Sequence, residues 1–291
     1  MLRIIDARTR EPVDAAPARR SLTRVQVHAS GSDPTDLRVL LVGDLLVRTL
    51  ELGGTPVWAL LTGGTREAEL RAQAATLGVR PFEDSPDVGA GLGESQVVHV
   101  AAEGGAAPDG VRIAVAPVEP GPPDPSAPAG PVRPDSADPA DPAGPVRPDS
   151  ADPADPADPV EPVRPDSADP AGPVRPDPAD PAVLRLALLT RHHSAPLRLE
   201  TAGLDDARAT LARWRAAVAR WARQPSRPVP DGVRERLREA WEDDLDVPRV
   251  LDVLRQVETE PDLADGARFE TYAYADRLLA LDLTRDLGSP S

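Results

Sequence analysis

"LRVLLVGDLLVRTLELGGTPVWALLTGG", residues 37–64, contains the change of period that sets the fold class. Leu37, Leu40, Leu41, Asp44, Leu45, Arg48 and Leu52 recur at helical spacing, and the Gly53-Gly54 pair supplies a stop. "PVWALLTGG" then runs apolar between proline and glycine, as a buried parallel strand does. Upstream, Thr23 to His28 alternates around β-branched residues and reads as a strand, with another at Leu2 to Asp6. Strand, helix and strand at this spacing make a βαβ unit, hence an α/β, Rossmann-like parallel sheet. Such a sheet binds ligands beyond the carboxyl ends of its strands, where "HASGSDPTD" and "TGGTRE" fall. Neither segment fits a P-loop or a GxGxxG fingerprint, and their glycines read as tight-turn residues.

The centre of the chain has a different composition. Of 36 prolines in 291 residues, 22 lie between Pro117 and Pro181, too densely for a helix or sheet ladder to pass through. Fourteen carboxylates face four arginines from Glu119 to Asp180, so ten of the fifteen net negative charges belong to this segment. Its arginines (Arg133, Arg147, Arg164, Arg175) are 14, 17 and 11 residues apart, as slippage of a repeated "PVRPDSADPA" unit would produce. A proline at nearly every third position favours polyproline II, so the repeat reads as a disordered, semi-rigid spacer. Three domains are expected: 1–116 a nucleotide-binding α/β unit, 117–182 the Pro/Asp linker, and 183–291 a helical bundle. The two flanking pieces are each long enough for a core, or for one shared core.

In the last piece, Leu204, Ala207, Leu211, Trp214, Val218 and Trp221 repeat by threes and fours, an amphipathic helix with arginine on its outer face. A second helix carries Val233, Leu237, Ala240 and Trp241. A third starts at Asp246, an N-cap with Pro248 in the first turn, and the last runs through "TYAYADRLLALDL". The tryptophans read as core.

Absences exclude whole chemistries. Without cysteine there is no disulfide, thiolate zinc site or cysteine nucleophile. All 33 cations are arginine, so no lysine can anchor a phosphate or form a Schiff base. No basic stripe suits DNA, although Arg213, Arg215, Arg220 and Arg223 cluster on one helix. "MLRIIDARTREPV" lacks the pattern of a secretory signal, and no apolar run approaches the roughly 20 residues of a membrane span. A cytoplasmic protein without membrane partners is expected.

Both ends of the chain resemble one family. "DPAVLRLALLTRHHSAPL", Asp180 to Leu197, resembles the cysteinyl-tRNA synthetase helix that begins Asp-Pro-x-x-Leu-Arg and leads to a His-Tyr-x-Ser-Pro-Leu corner. "LREAWEDDLDVPRVLDVL" resembles a bundle helix of that family, and the opening stretch resembles the helix and strand after its first ATP signature. "TLARWRAAVARW" is closer to the sister cysteine ligases of mycothiol biosynthesis. The resemblance implies a class I synthetase-like fold, in degenerate and truncated form. It also implies ATP as cofactor, and tRNA or a synthetase or ligase as partner.

The family's catalytic signatures are not matched, and no catalytic residue is assigned. The His-Ile-Gly-His signature, which the resemblance places at a helix N-terminus against phosphate, falls on Asp33 to Asp36, whose carboxylates would repel a polyphosphate. The Lys-Met-Ser-Lys-Ser signature falls on "VRIAV", where Arg112 alone could meet phosphate. His99 and His28 are the other candidates for contacting ATP. The family's cysteine-rich zinc site has no counterpart, and His192-His193 cannot replace a thiolate set by themselves, so no metal is assigned. Three readings stand open: a non-catalytic paralogue acting as a binding or regulatory module, an ATP-dependent cysteine ligase with altered signatures, and an RNA- or synthetase-binding interaction protein.

Overall fold

The computed structural model describes residues 1–18, 21–63, 67–84, 96–121 and 180–288. The Pro/Asp repeat, 122–179, lies outside the described residues, as does the end of the "TGGTRE" segment before Glu67.

The chain opens with an antiparallel hairpin of β1 (Arg3–Ile5) and β2 (Pro12–Asp14). β3 (Thr23–His28), α1 (Pro34–Leu52) and β4 (Val57–Thr62) form the expected βαβ unit, with β3 and β4 parallel in register Thr23↔Val57 to His28↔Thr62. α2 (Glu67–Thr76) leads to the short β5 (Glu83–Asp84), after which β6 (Gln96–Ala102) and β7 (Val111–Val115) add on the far side of β3. The parallel sheet thus has the order β5-β4-β3-β6-β7. The order reverses at the β3/β6 boundary, where doubly wound sheets bind ligands.

Val25, Val27, Val98, Val100, Ile113 and Val115 line the sheet face that packs on α1 and are fully or almost fully buried. Asp33 caps α1 through its carboxylate, which accepts from the Asp36 amide at 2.9 Å. Gly43 lets the helix lie against β3, since a Cβ there would come within 2.5 Å of Val27 Cγ2. Every residue of α1 from 36 to 47 is buried, which an amphipathic surface helix would not show. α1 is a middle layer: the sheet covers one side and the C-terminal helices cover the other.

Those helices are α3 (Pro181–Leu189), α4 (Thr201–Trp221), α5 (Asp231–Glu242), α6 (Val247–Thr259) and α7 (Asp265–Leu279). Before α3, β8 (Val118–Pro120) continues the sheet domain. It pairs in parallel with β9 (Leu197–Leu199), so the chain on either side of the repeat is hydrogen-bonded together. Residues 1–121 and the described residues from Asp180 onward share one core. Trp214 and Trp221 sit edge-on to Tyr272 with centroids 5.7 and 5.2 Å apart, and the buried Tyr272 hydroxyl donates to the Leu254 carbonyl at 2.9 Å. The tryptophans are core, as expected.

Two buried arginines join the pieces. Arg185 of α3 meets Asp44 of α1 at 2.9 Å, both side chains fully buried, and donates to the Leu77 and Leu279 carbonyls. Arg48 and Arg80 also bond Asp44, at 2.8 and 3.2 Å. Burial alone would raise the Asp44 carboxyl, but Arg185 and Arg48 outweigh it and hold it below the ordinary carboxylate value. Arg38, 1% exposed, donates to the carbonyls of Ala116, Arg191, His192 and Ala195 at 2.8–3.1 Å.

Two sequence expectations need correction. β4 is parallel but only half-buried at Val57, Trp58 and Ala59, and becomes fully buried only at Leu60 and Leu61. Arg215 does not lie on the outer face of α4. Its guanidinium is buried against the Asp180 carboxylate and the Leu281 and Asp282 carbonyls, so the supposed arginine cluster is not one surface. Arg213 is paired with Glu258 at 2.9 Å.

Candidate functional site

The ligand position of this sheet is the start of α1, just past His28 at the end of β3. Helix N-termini offer unpaired amides to anions. Here the protein's own carboxylates bond one of them, the Asp36 amide, and two amides of the preceding turn. Asp33 accepts from the Asp36 amide, and Asp36 accepts from Ser30 N at 3.3 Å and Gly31 N at 2.7 Å. Gly31 is needed for this turn, since a Cβ would stand 2.8 Å from Asp36 Oδ2. Burial, and then the Asp33 charge, raise the Asp36 carboxyl above its ordinary value, against the two amide bonds. The Thr35 hydroxyl accepts from Val118 N at 3.0 Å. The segment is therefore an internally satisfied, negatively charged cap.

The sequence candidates His28, His99 and Arg112 come together on the sheet face opposite α1, where His99 is 3% exposed. His28 Nε2 lies 3.0 Å from His99 Nδ1, so one ring donates and the other accepts. His99 and Arg112 are register partners on β6 and β7. Burial, then the Arg112 charge, lowers His28; burial, then His28, Arg24 and Arg112, lowers His99 to about 4. Both rings are neutral at pH 7. Gly110, with φ +149°, lets its loop approach His99, whose Cδ2 would be 3.1 Å from a Cβ there.

Arg112 spends its terminal nitrogens on the Gly105 and Ala107 carbonyls, at 3.2 and 2.8 Å, closing the β6–β7 connection. Its Nε and that of Arg24 are buried without a hydrogen-bond partner. The face thus combines two neutral imidazoles with two arginines.

His192 and His193 belong to a separate cluster with Asp244, the one group of three metal-capable side chains among the described residues. The sequence reading had no partner for them, because Asp244 lies some fifty residues downstream. No helix among the described residues is long and apolar enough to cross a membrane.

No protein-family model matches the chain. A stretch of 71 residues is 46% identical to L-cysteine:1D-myo-inositol 2-amino-2-deoxy-alpha-D-glucopyranoside ligase of Streptomyces griseus, covering 24% of this chain and 16% of that protein. This chain carries a cysteine-ligase-like segment. The enzyme of the same name from Catenulispora acidiphila is 42% identical over 86 residues, 30% of this chain and 19% of its own. That of Frankia alni is 46% identical over 70 residues, 24% of this chain and 16% of its own. The cysteine-ligase-like chain therefore matches less than a fifth of the length of these relatives, on a parallel-sheet fold with C-terminal helices.

Proposed function

We propose that this cysteine-ligase-like chain is a non-catalytic binding or regulatory module that does not activate cysteine with ATP. The observation that carries the reading is the cap of α1: the Ser30, Gly31 and Asp36 amides at the ligand position already serve Asp33 and Asp36. An incoming polyphosphate would have to displace two carboxylates and then face their charge. Losing one preorganised donor to a developing anion costs about 2.7–4 kcal/mol of transition-state stabilisation, and here several are committed. The engagement of Arg112 with loop carbonyls supports the same reading.

The competing reading, a surviving ATP-dependent ligase, has one observation in its favour: His28, His99 and Arg112 do meet on one face. It still lacks a free phosphate cradle. The test is cysteine-dependent exchange of labelled pyrophosphate into ATP by the purified full chain, beside a working cysteine ligase. No exchange above background is expected. Robust exchange that disappears in His99→Ala would overturn the proposal and install the ligase reading.

A further inference from the structure

The turn after α3 and the α5–α6 turn meet at a point with too many acceptors. His192 Nε2 and His193 Nε2 each lie 2.9 Å from the backbone carbonyl oxygen of Asp244. The same nitrogens are 3.7 and 3.4 Å from Asp244 Oδ2. The other ring nitrogen of His193, Nδ1, faces a second carbonyl, Ala114 O, at 3.2 Å. A neutral imidazole carries one N–H, so His193 between two carbonyls leaves one lone pair pointed at an oxygen. His193 is 6% exposed, so water does not readily relieve the mismatch.

A divalent cation resolves it. With Nδ1–H donating to Ala114 O, the lone pair of His193 Nε2 is free to ligate, the usual way a second-layer carbonyl fixes a ligating histidine. His192 Nδ1 lies 2.7 Å from the Ser194 hydroxyl and accepts from the Ser194 amide at 3.3 Å; on ligating through Nε2 it gives up the longer amide contact and donates Nδ1–H to Ser194 Oγ. Asp244 divides its oxygens: Oδ1 accepts from the Ile5 amide at 2.8 Å, leaving Oδ2 turned toward the two rings. In a tetrahedral site with metal–ligand distances of 2.0–2.1 Å, ligand atoms are about 3.3 Å apart. The 3.4 Å edge to His193 already matches, and the 3.7 Å edge needs a small rotation of His192, whose side chain is 25% exposed. The backbone holds Asp244 in place, with φ +51° there and +55° at Leu245, and with Asp244 N bonded to Arg3 O.

We propose that His192, His193 and Asp244 form a binding site for a divalent first-row cation of the zinc type. Two imidazoles and one carboxylate are a borderline donor set that favours such ions over calcium or magnesium. The Asp244 carbonyl oxygen, 2.9 Å from both Nε2 atoms, stands nearest the fourth position. The ion would tie together the β1 strand, the end of β7, the turn after α3 and the α5–α6 turn, all of which already bond to these three residues. This site uses no thiolate and is distinct from the His28–His99 face.

The test is titration of the chelator-treated, full-length chain with zinc alone, read by competition with a chromophoric chelator and by melting temperature. One equivalent is expected to bind and raise the melting temperature. Affinity should fall at least tenfold in His192→Ala and in Asp244→Asn and stay unchanged in His28→Ala. His192 is chosen over His193 because its ring is partly exposed, and circular dichroism of each metal-free variant confirms that it folds. No zinc bound by the folded wild-type chain, equal binding by both site variants, or loss of binding in His28→Ala would each overturn the proposal.

Discussion

Replacing Asp44 by asparagine removes a charge while keeping nearly the same shape, and so tests whether the Asp44–Arg185 pair holds the two pieces of chain together. Both side chains are fully buried, 2.9 Å apart. In Asp44→Asn, Arg185 keeps its bonds to the Leu77 and Leu279 carbonyls but becomes an uncompensated buried cation. Breaking such a pair costs about 3–5 kcal/mol. Arg48 and Arg80 keep access to water, with side chains 15% and 38% exposed, and add little. At about 2–4 °C per kcal/mol for 150–250 ordered residues, the melting temperature should fall by roughly 6–20 °C. The double variant Asp44→Leu/Arg185→Met removes both charges and should lose less than the single one, because an apolar pair of similar volume avoids desolvation. The sign against pH follows from the depressed Asp44 carboxyl. Its contribution is complete above the ordinary carboxylate value near 3.8 and disappears as pH falls through the lower folded value, a dependence that Asp44→Asn should lack. Urea unfolding of the three proteins is the assay. A single variant within about 1 kcal/mol of wild type, or a double variant worse than the single, would refute the reasoning.

Other outcomes follow from the same chemistry. Arg38→Met removes the donor to one buried and three part-buried carbonyls; at about 1–3 kcal/mol for a buried group left unpaired, a loss of at least about 1 kcal/mol is expected in urea unfolding. His99 is buried neutral, with a folded value of about 4 against 6.5 unfolded. Stability should therefore be level above pH 6.5 and decline toward pH 4, with a slope approaching about 1.4 kcal/mol per pH unit. In His99→Gln that slope should shrink, and an unchanged urea midpoint profile would contradict the burial argument.

Local spacing made much of the fold legible. The β3–α1–β4 unit, the Gly53 stop, the Asp246 cap with Pro248 and the tryptophan core all depend on residues within a turn or two of one another. What sequence did not disclose depends on partners far along the chain. The β8–β9 pairing joins Val118 to Leu197, and Asp44 meets Arg185 across 141 residues. Asp44 on an apolar helix face was a visible signal, but nothing local named its partner. Arg215 looked like surface for the same reason, since helical periodicity does not reveal that Asp180 and two carbonyls wait behind it. For the candidate site, His28, His99 and Arg112 were identified singly, and parallel register brought them together. The Asp33 and Asp36 carboxylates read as repulsive to a polyphosphate, and the structure adds that Asp36 accepts from the Ser30 and Gly31 amides. His192 and His193 lacked a third donor on paper because Asp244 reaches them through a left-handed turn that no glycine announces.

The burial of α1 on every side also governs how the chain is made. Its outer face is covered by helices encoded after the repeat, so the sheet emerges from the ribosome with that face bare. At about 5–20 residues per second, the 68 residues from Gly121 to Leu189 take on the order of 3–14 s to synthesise. For that interval Leu41, Leu45 and their neighbours lack the partners Leu188 and Leu189 that line the same interface in the finished protein. The nascent chain thus carries a bare apolar helix face throughout translation of the repeat, and each added repeat unit lengthens the wait.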